Sequence, residues 1–93
     1  MPDIRPNRDN WEAFCEEPAL SNAEWREWRG LADRVRDDDE LVARLRNATM
    51  EEREAVREAQ KLYTPDDWSD MVAEADATRR VMWAELEWLR EHV

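Results

Sequence analysis

Five times along this chain a small polar or acidic residue stands immediately ahead of an apolar-periodic stretch, and in four of those places a glutamate follows three residues later. That spacing is a helix start. The first side chain accepts an N–H of the opening turn that would otherwise have no partner, and the glutamate reaches back to the capping residue's own N–H. Five such signals in 93 residues, with one glycine and no strict apolar–polar alternation between turn residues, predict helices and no sheet.

Asp9-x-x-Glu12 opens a short predicted helix through Trp11, Phe14 and Cys15 that stops near Pro18. Ser21-x-x-Glu24 opens a second, with Trp25, Trp28, Leu31, Ala32 and Val35 on its inner face. Asp37-x-x-Glu40 opens a third, with Leu41, Val42 and Leu45 inward, and Thr49-x-x-Glu52 a fourth, carrying Val56, Ala59 and Leu62. The fifth start is Thr64-Pro65-Asp66-Asp67: a threonine cap, a proline where a missing N–H costs nothing, and two carboxylates facing the positive helix end. With no breaker beyond it, this helix is expected to run about 26 residues, or ~39 Å. The expected fold is all-α: a compact, mostly antiparallel bundle of about five helices with a long C-terminal one, preceded by an extended lead-in over residues 1–8. Residues 9–93 form a single domain, as the length allows.

Composition narrows the function. The chain has 24 acidic side chains against thirteen arginines and one lysine, for a net charge of −10. Such a charge opposes nonspecific attraction to nucleic acid or anionic lipid. No segment has the apolar length of a bilayer span or the character of a signal peptide, and a single cysteine, Cys15, permits no internal disulfide; a cytoplasmic protein is expected. A metal site needs clustered ligands, and His92 and Cys15 are the only histidine and thiol. Asp37-Asp38-Asp39-Glu40 lacks the alternation and turn glycine of a calcium loop. Ser21 reads as a cap, and no glycine-rich phosphate loop is present. Neither a cofactor nor a catalytic centre is expected.

The last helix carries two patterns. Trp68, Met71, Val72, Ala75, Met82, Leu86, Leu89 and Val93 fall on one stripe, the expected core face. A second line begins with the carboxylates of Asp66, Asp70 and Glu74 and continues as Ala77, Val81, Ala84 and Trp88. Its apolar half either packs inside the bundle or forms a contact surface with Trp88 as anchor and the carboxylates as charged flank. Trp25 and Trp28 are assigned to the interior, Trp83 lies off both stripes, and six tryptophans exceed what so small a core needs.

Many of the acids are accounted for by helix starts and by pairs such as Glu40–Arg44, Glu54–Arg57 and Asp76–Arg80. An excess of ten negative charges is not, because self-repulsion opposes compaction. The expected partner is therefore a basic protein surface, met by Asp37, Asp38, Asp39, Glu40, Asp66, Asp70 and Glu74 together with Val81 and Trp88. A row of carboxylates can imitate phosphates, which is how nucleic-acid-mimicking inhibitors of the anti-restriction and anti-CRISPR kind occupy nucleic-acid-binding proteins; size, charge and helicity carry that analogy, and no motif does. The alternatives are a structural homodimer or assembly subunit using the Val81–Trp88 face, and a small helical protein adapted to high salt.

Overall fold

In the computed structural model, which describes residues 4–93, the Ser21 hydroxyl accepts the Glu24 N–H at 3.2 Å while the Glu24 carboxylate accepts the Ser21 N–H at 2.9 Å. Helix α1, Asn22–Val35, grows from this reciprocal cap. Helix α2, Asp39–Ala48, starts one residue later than expected, because Asp38 and not Asp37 accepts the Leu41 N–H, at 3.1 Å. Helix α3, Met50–Lys61, follows directly, and helix α4, Trp68–His92, closes the chain. Among the described residues there is no strand.

Three expected starts work differently. Residues 11–14 form a single 3-10 turn, not an α-helix, and Asp9 does not cap it. No side chain caps it; the Asn7 Oδ1 accepts from the Asp9 and Asn10 N–H groups at 2.8 and 3.1 Å in the turn just ahead, so ordered turn structure begins inside the expected lead-in, whose first three residues lie outside the described ones. Thr49 is buried and turns its hydroxyl backward, donating to the Leu45 carbonyl at 2.9 Å instead of capping α3. Thr64 and Asp67 close a turn, with the Asp67 N–H on the Thr64 carbonyl at 2.9 Å and Pro65 inside it. Asp67 is the actual cap of α4, accepting from Ser69 N–H at 2.9 Å. The described residues thus form four α-helices and one 3-10 turn.

Helix α4 is the spine. At 25 residues it is about 38 Å long, and every other element packs on it. Its buried residues, Asp76, Ala77, Val81, Glu85, Leu86 and Leu89, point in nearly all directions around its axis, so the two expected stripes do not describe it. Leu86 and Leu89 are fully buried as expected, whereas Trp68, Met71, Val72, Ala75 and Met82 are only half-buried and Val93 is exposed. Leu62 and Trp25, expected inside, are also exposed. With its elements strung along one helix, the chain measures 52 × 28 × 18 Å and has a radius of gyration of 15.5 Å. A compact chain of this length would have roughly 12 Å. Its accessible surface, 7030 Å², exceeds the roughly 5,700 Å² of a compact chain of this mass. The bundle is elongated, not compact.

One buried carboxylate joins the four helices. Glu85 of α4, 7% exposed, accepts the Trp28 indole N–H of α1 at 3.0 Å and an Arg53 Nη2–H of α3 at 2.7 Å. Arg53 Nε donates to the Thr49 hydroxyl at 2.9 Å, and that hydroxyl donates to Leu45 of α2. Beside this chain Val35, Leu45 and Leu89 form the apolar centre, against which Trp28, Leu31, Leu41 and Trp88 pack. Removing one member leaves a buried charge uncompensated, whereas removing both partners of such a pair is often neutral. Arg53→Met is expected to cost about 2 kcal/mol of unfolding free energy, the range discounted because Arg53 is partly exposed, and Arg53→Met/Glu85→Met to recover most of that loss. Denaturant melts of the wild type and the two variants check this; a double variant no more stable than the single one contradicts it.

Candidate interaction surface

The polar side of α4 organises the N-terminal segment. Asp76 is buried and accepts the Glu16 and Glu17 N–H groups at 3.3 and 3.1 Å. One and two turns along the same face, Arg79 donates to the Glu17 carbonyl at 3.1 Å, Arg80 to the Glu17 carboxylate at 3.1 Å, and the Trp83 indole to the Pro18 carbonyl at 2.7 Å. Arg79 also sits over the Trp11 ring, 5.9 Å from its centroid. Farther along, Arg90 grips Glu27 of α1 through two bonds of 2.7 and 2.8 Å, a forked geometry open to arginine alone. This pair holds the Glu27 carboxyl below its ordinary value, chiefly through the hydrogen bond.

These contacts change the charge map expected from helix spacing. Arg80 pairs with Glu17 and not with Asp76, and neither Glu40–Arg44 nor Glu54–Arg57 forms an ion pair among the described residues. Asp76, Glu85, Glu17 and Glu27 face arginines or backbone N–H groups across elements, while Glu24, Asp38 and Asp67 are caps. All seven serve the fold.

The expected contact residues fall into two separate groups. Asp37, Asp38, Asp39 and Glu40 are all exposed at the α1–α2 turn. Only Arg36 approaches them, at 3.8 Å from an Asp37 side chain that is 91% exposed. Leu41, the next residue, packs on the same apolar cluster as Trp88, so this turn and Trp88 lie at one end of the molecule. Trp88 is half-buried and stacks on His92 at 4.2 Å between centroids. The Asp66, Asp70 and Glu74 group lies toward the start of α4, and Asp70 and Leu89 are about 28 Å apart along the axis. It is no ladder: Asp66 precedes the helix, Asp70 accepts the Thr64 N–H at 3.0 Å, and Glu74 is half-buried.

Val81 presents almost no surface. It is 9% exposed, at the bottom of an open seam between α3 and α4 that Val56 and Met82 also line, and Ala77 is buried as well. Ala77 and Val81 are therefore packing residues, whereas Ala84 and Trp88 of the same line are half-buried, and the contact role expected for Val81 is corrected accordingly. Among the described residues no group of three or more His, Cys, Asp or Glu side chains is placed to hold a metal ion, and no helix is long and apolar enough to cross a membrane. No family model matches the sequence, and no curated protein or solved structure matches it either.

Sequence reasoning missed Asp76 and Glu85 as organising groups, although each interrupts an apolar run, Asp76 between Ala75 and Ala77 and Glu85 between Ala84 and Leu86. Cys15 lies half-buried beside the Asp76 clamp. Burial pushes its thiol above the ordinary value; Arg79 pulls it down, and Asp76 and Glu12 push it up further. A raised thiol pKa means less thiolate and slower attack. Asp76→Ala, which frees the segment and removes a negative neighbour, is expected to raise the rate at which Cys15 reacts with a disulfide reagent several-fold at neutral pH. An unchanged rate in the folded variant would show that Asp76 does not hold this segment down.

Proposed function

We propose that the protein is a non-catalytic binding protein that docks the acidic α1–α2 turn, with Trp88 alongside, onto a basic surface of a partner protein. The observation that carries this reading is the exposure of Asp37, Asp38, Asp39 and Glu40 in consecutive positions with one weakly placed arginine beside them. The fold needs Asp38 there as a cap, but it does not need three more acids at the same turn. Exposed pairs such as Arg36–Asp37 contribute little to stability, so the run is better explained by an outside partner than by internal pairing. Long-range attraction of this kind speeds and orients encounter, and a half-exposed tryptophan at its edge is the residue type that anchors such contacts.

The finer form of the proposal is mimicry of nucleic acid. Asp70 and Leu89, the neighbour of Trp88, are about 28 Å apart along α4, a span of roughly eight phosphate steps on one strand of duplex. A nucleic-acid-binding protein with a basic groove of that length would meet carboxylates at both ends and the elongated body between them. In this form the chain acts stoichiometrically, by occupying the groove.

The test is capture of host or target-cell proteins on the immobilised chain at about 0.1 and 0.5 M salt, with two charge-neutralised variants. Asp37→Asn/Asp39→Asn/Glu40→Gln keeps the Asp38 cap and is expected to lose the captured basic partner, as is the wild type at the higher salt. Asp66→Asn/Glu74→Gln is expected to weaken capture less. Competition by duplex DNA for the same partner supports mimicry. A partner retained equally by the wild type and the first variant, at both salt concentrations, contradicts the reading.

A further inference from the structure

Five of the thirteen arginines meet at one place on this acidic molecule. Trp28, Val35, Val42 and Leu45 floor an open groove of about 490 Å³ between α1 and α2. Past the Thr49 break it continues into a second hollow of about 510 Å³ along α2 and α3, where Met50 is 49% exposed. Arg46 and Arg53 border both hollows, which makes them one trough; Arg29 and Arg36 stand on its α1 side and Arg57 at its far end. Four carboxylates face them, Asp33, Asp37, Glu54 and Glu85; Glu85 is already held by Arg53, and Asp37 lies 3.8 Å from Arg36. The trough therefore carries a positive excess on a chain whose net charge is −10.

Three of the arginines have no internal task. Arg29, Arg46 and Arg57 form no ion pair among the described residues, although acids outnumber bases in the chain. Packing does not need guanidinium groups around an apolar floor either, and Met50 beside them offers a flexible apolar surface that adapts to a ligand.

We infer that this trough is a docking site for an amphipathic acidic helix of a partner protein. Charge and shape together select that occupant. A bare phosphate would leave the half-buried Trp28 and Val42 and the exposed Met50 uncovered, and an uncharged apolar helix would leave the arginine rim unanswered. A helix with apolar residues at i, i+3, i+4 and i+7 and glutamates on its flanks covers the floor and meets Arg29, Arg46 and Arg57 at once. The site adjoins the acidic turn through Arg36, which pairs with Asp37, but it selects the opposite charge, and the variants that test it leave Asp37, Asp39 and Glu40 in place, so it stands or falls independently of the function proposed above.

The probe is a synthetic amphipathic peptide of about five turns, with leucine on one face and glutamate on its flanks, and the same peptide with glutamine for glutamate. Fluorescence anisotropy of the labelled peptides on the full chain is expected to give about tenfold tighter binding for the glutamate form, the worth of two or three exposed charge pairs. Arg46→Glu/Arg57→Glu, which spares Arg53, is expected to keep the helical circular dichroism and abolish that preference; Arg46→Gln/Arg57→Gln reads out the same loss without added repulsion. Equal affinity for the two peptides, no binding of the glutamate peptide, or a preference that survives both variants overturns the inference. A dimer in sedimentation equilibrium that dissolves in the same variants assigns the trough to a second copy of this chain and overturns the occupant.

Discussion

The arrangement of this protein depends on one buried carboxylate. Glu85 receives a hydrogen bond from the indole of α1 and another from the guanidinium of α3, and through Thr49 the same chain of contacts reaches a carbonyl of α2. Among the described residues seven apolar side chains are buried, a thin interior for a chain of this length. Nonpolar contact at about 1.5–3 kcal/mol per large side chain is non-directional and would tolerate several registers of α1 and α3 along α4. The carboxylate does not, because a charge away from water must have its partners in place. Specific placement of the helices follows from that requirement.

Much of the fold can be read in the sequence, and the errors have identifiable causes. The Ser21–Glu24 cap was unambiguous because one serine and one glutamate stood at the required spacing. In Asp37-Asp38-Asp39-Glu40 several acids offer themselves as caps, and the start shifted by one residue. Thr64-Pro65-Asp66-Asp67 fits a turn with proline in its second place as well as a helix start, and the turn won. Helix α4 defeated the periodicity argument more deeply. An apolar stripe presumes one covered face, whereas this helix is covered on nearly all sides, by Asp76 and Glu85 as well as by leucines. The polar organisers were invisible because an acid is by default assigned to solvent.

The acidity divides in the same way. Some of it is structural: Asp76, Glu85, Glu17 and Glu27 hold elements to one another, and Glu24, Asp38 and Asp67 start helices. Of what remains, Asp37, Asp39 and Glu40 form one group and Asp66, Asp70 and Glu74 another, the other acids are spread along the chain, and three arginines without an ion pair among the described residues, Arg29, Arg46 and Arg57, border the trough between α1, α2 and α3. The contact residues expected from sequence separate along this line. Asp37 to Glu40 and Trp88 share one end, Asp66, Asp70 and Glu74 lie at the other, and Val81 is internal. A chain with a large exposed surface for its mass and two patches of opposite sign is suited to being held between, or against, other macromolecules.

The role of Glu85 is most directly tested by hydrogen exchange at the Trp28 indole N–H, followed by NMR under native conditions. If this proton is the link between α1 and α4, it should exchange only with the slowest backbone amides of α4, those of Leu86 and Leu89, and lose that protection in Glu85→Gln while the α4 amides keep theirs. Exchange of the indole at the rate of a solvent-exposed tryptophan in the wild type would show that the four helices are held together by apolar contact alone, and would contradict the central place given to the buried carboxylate.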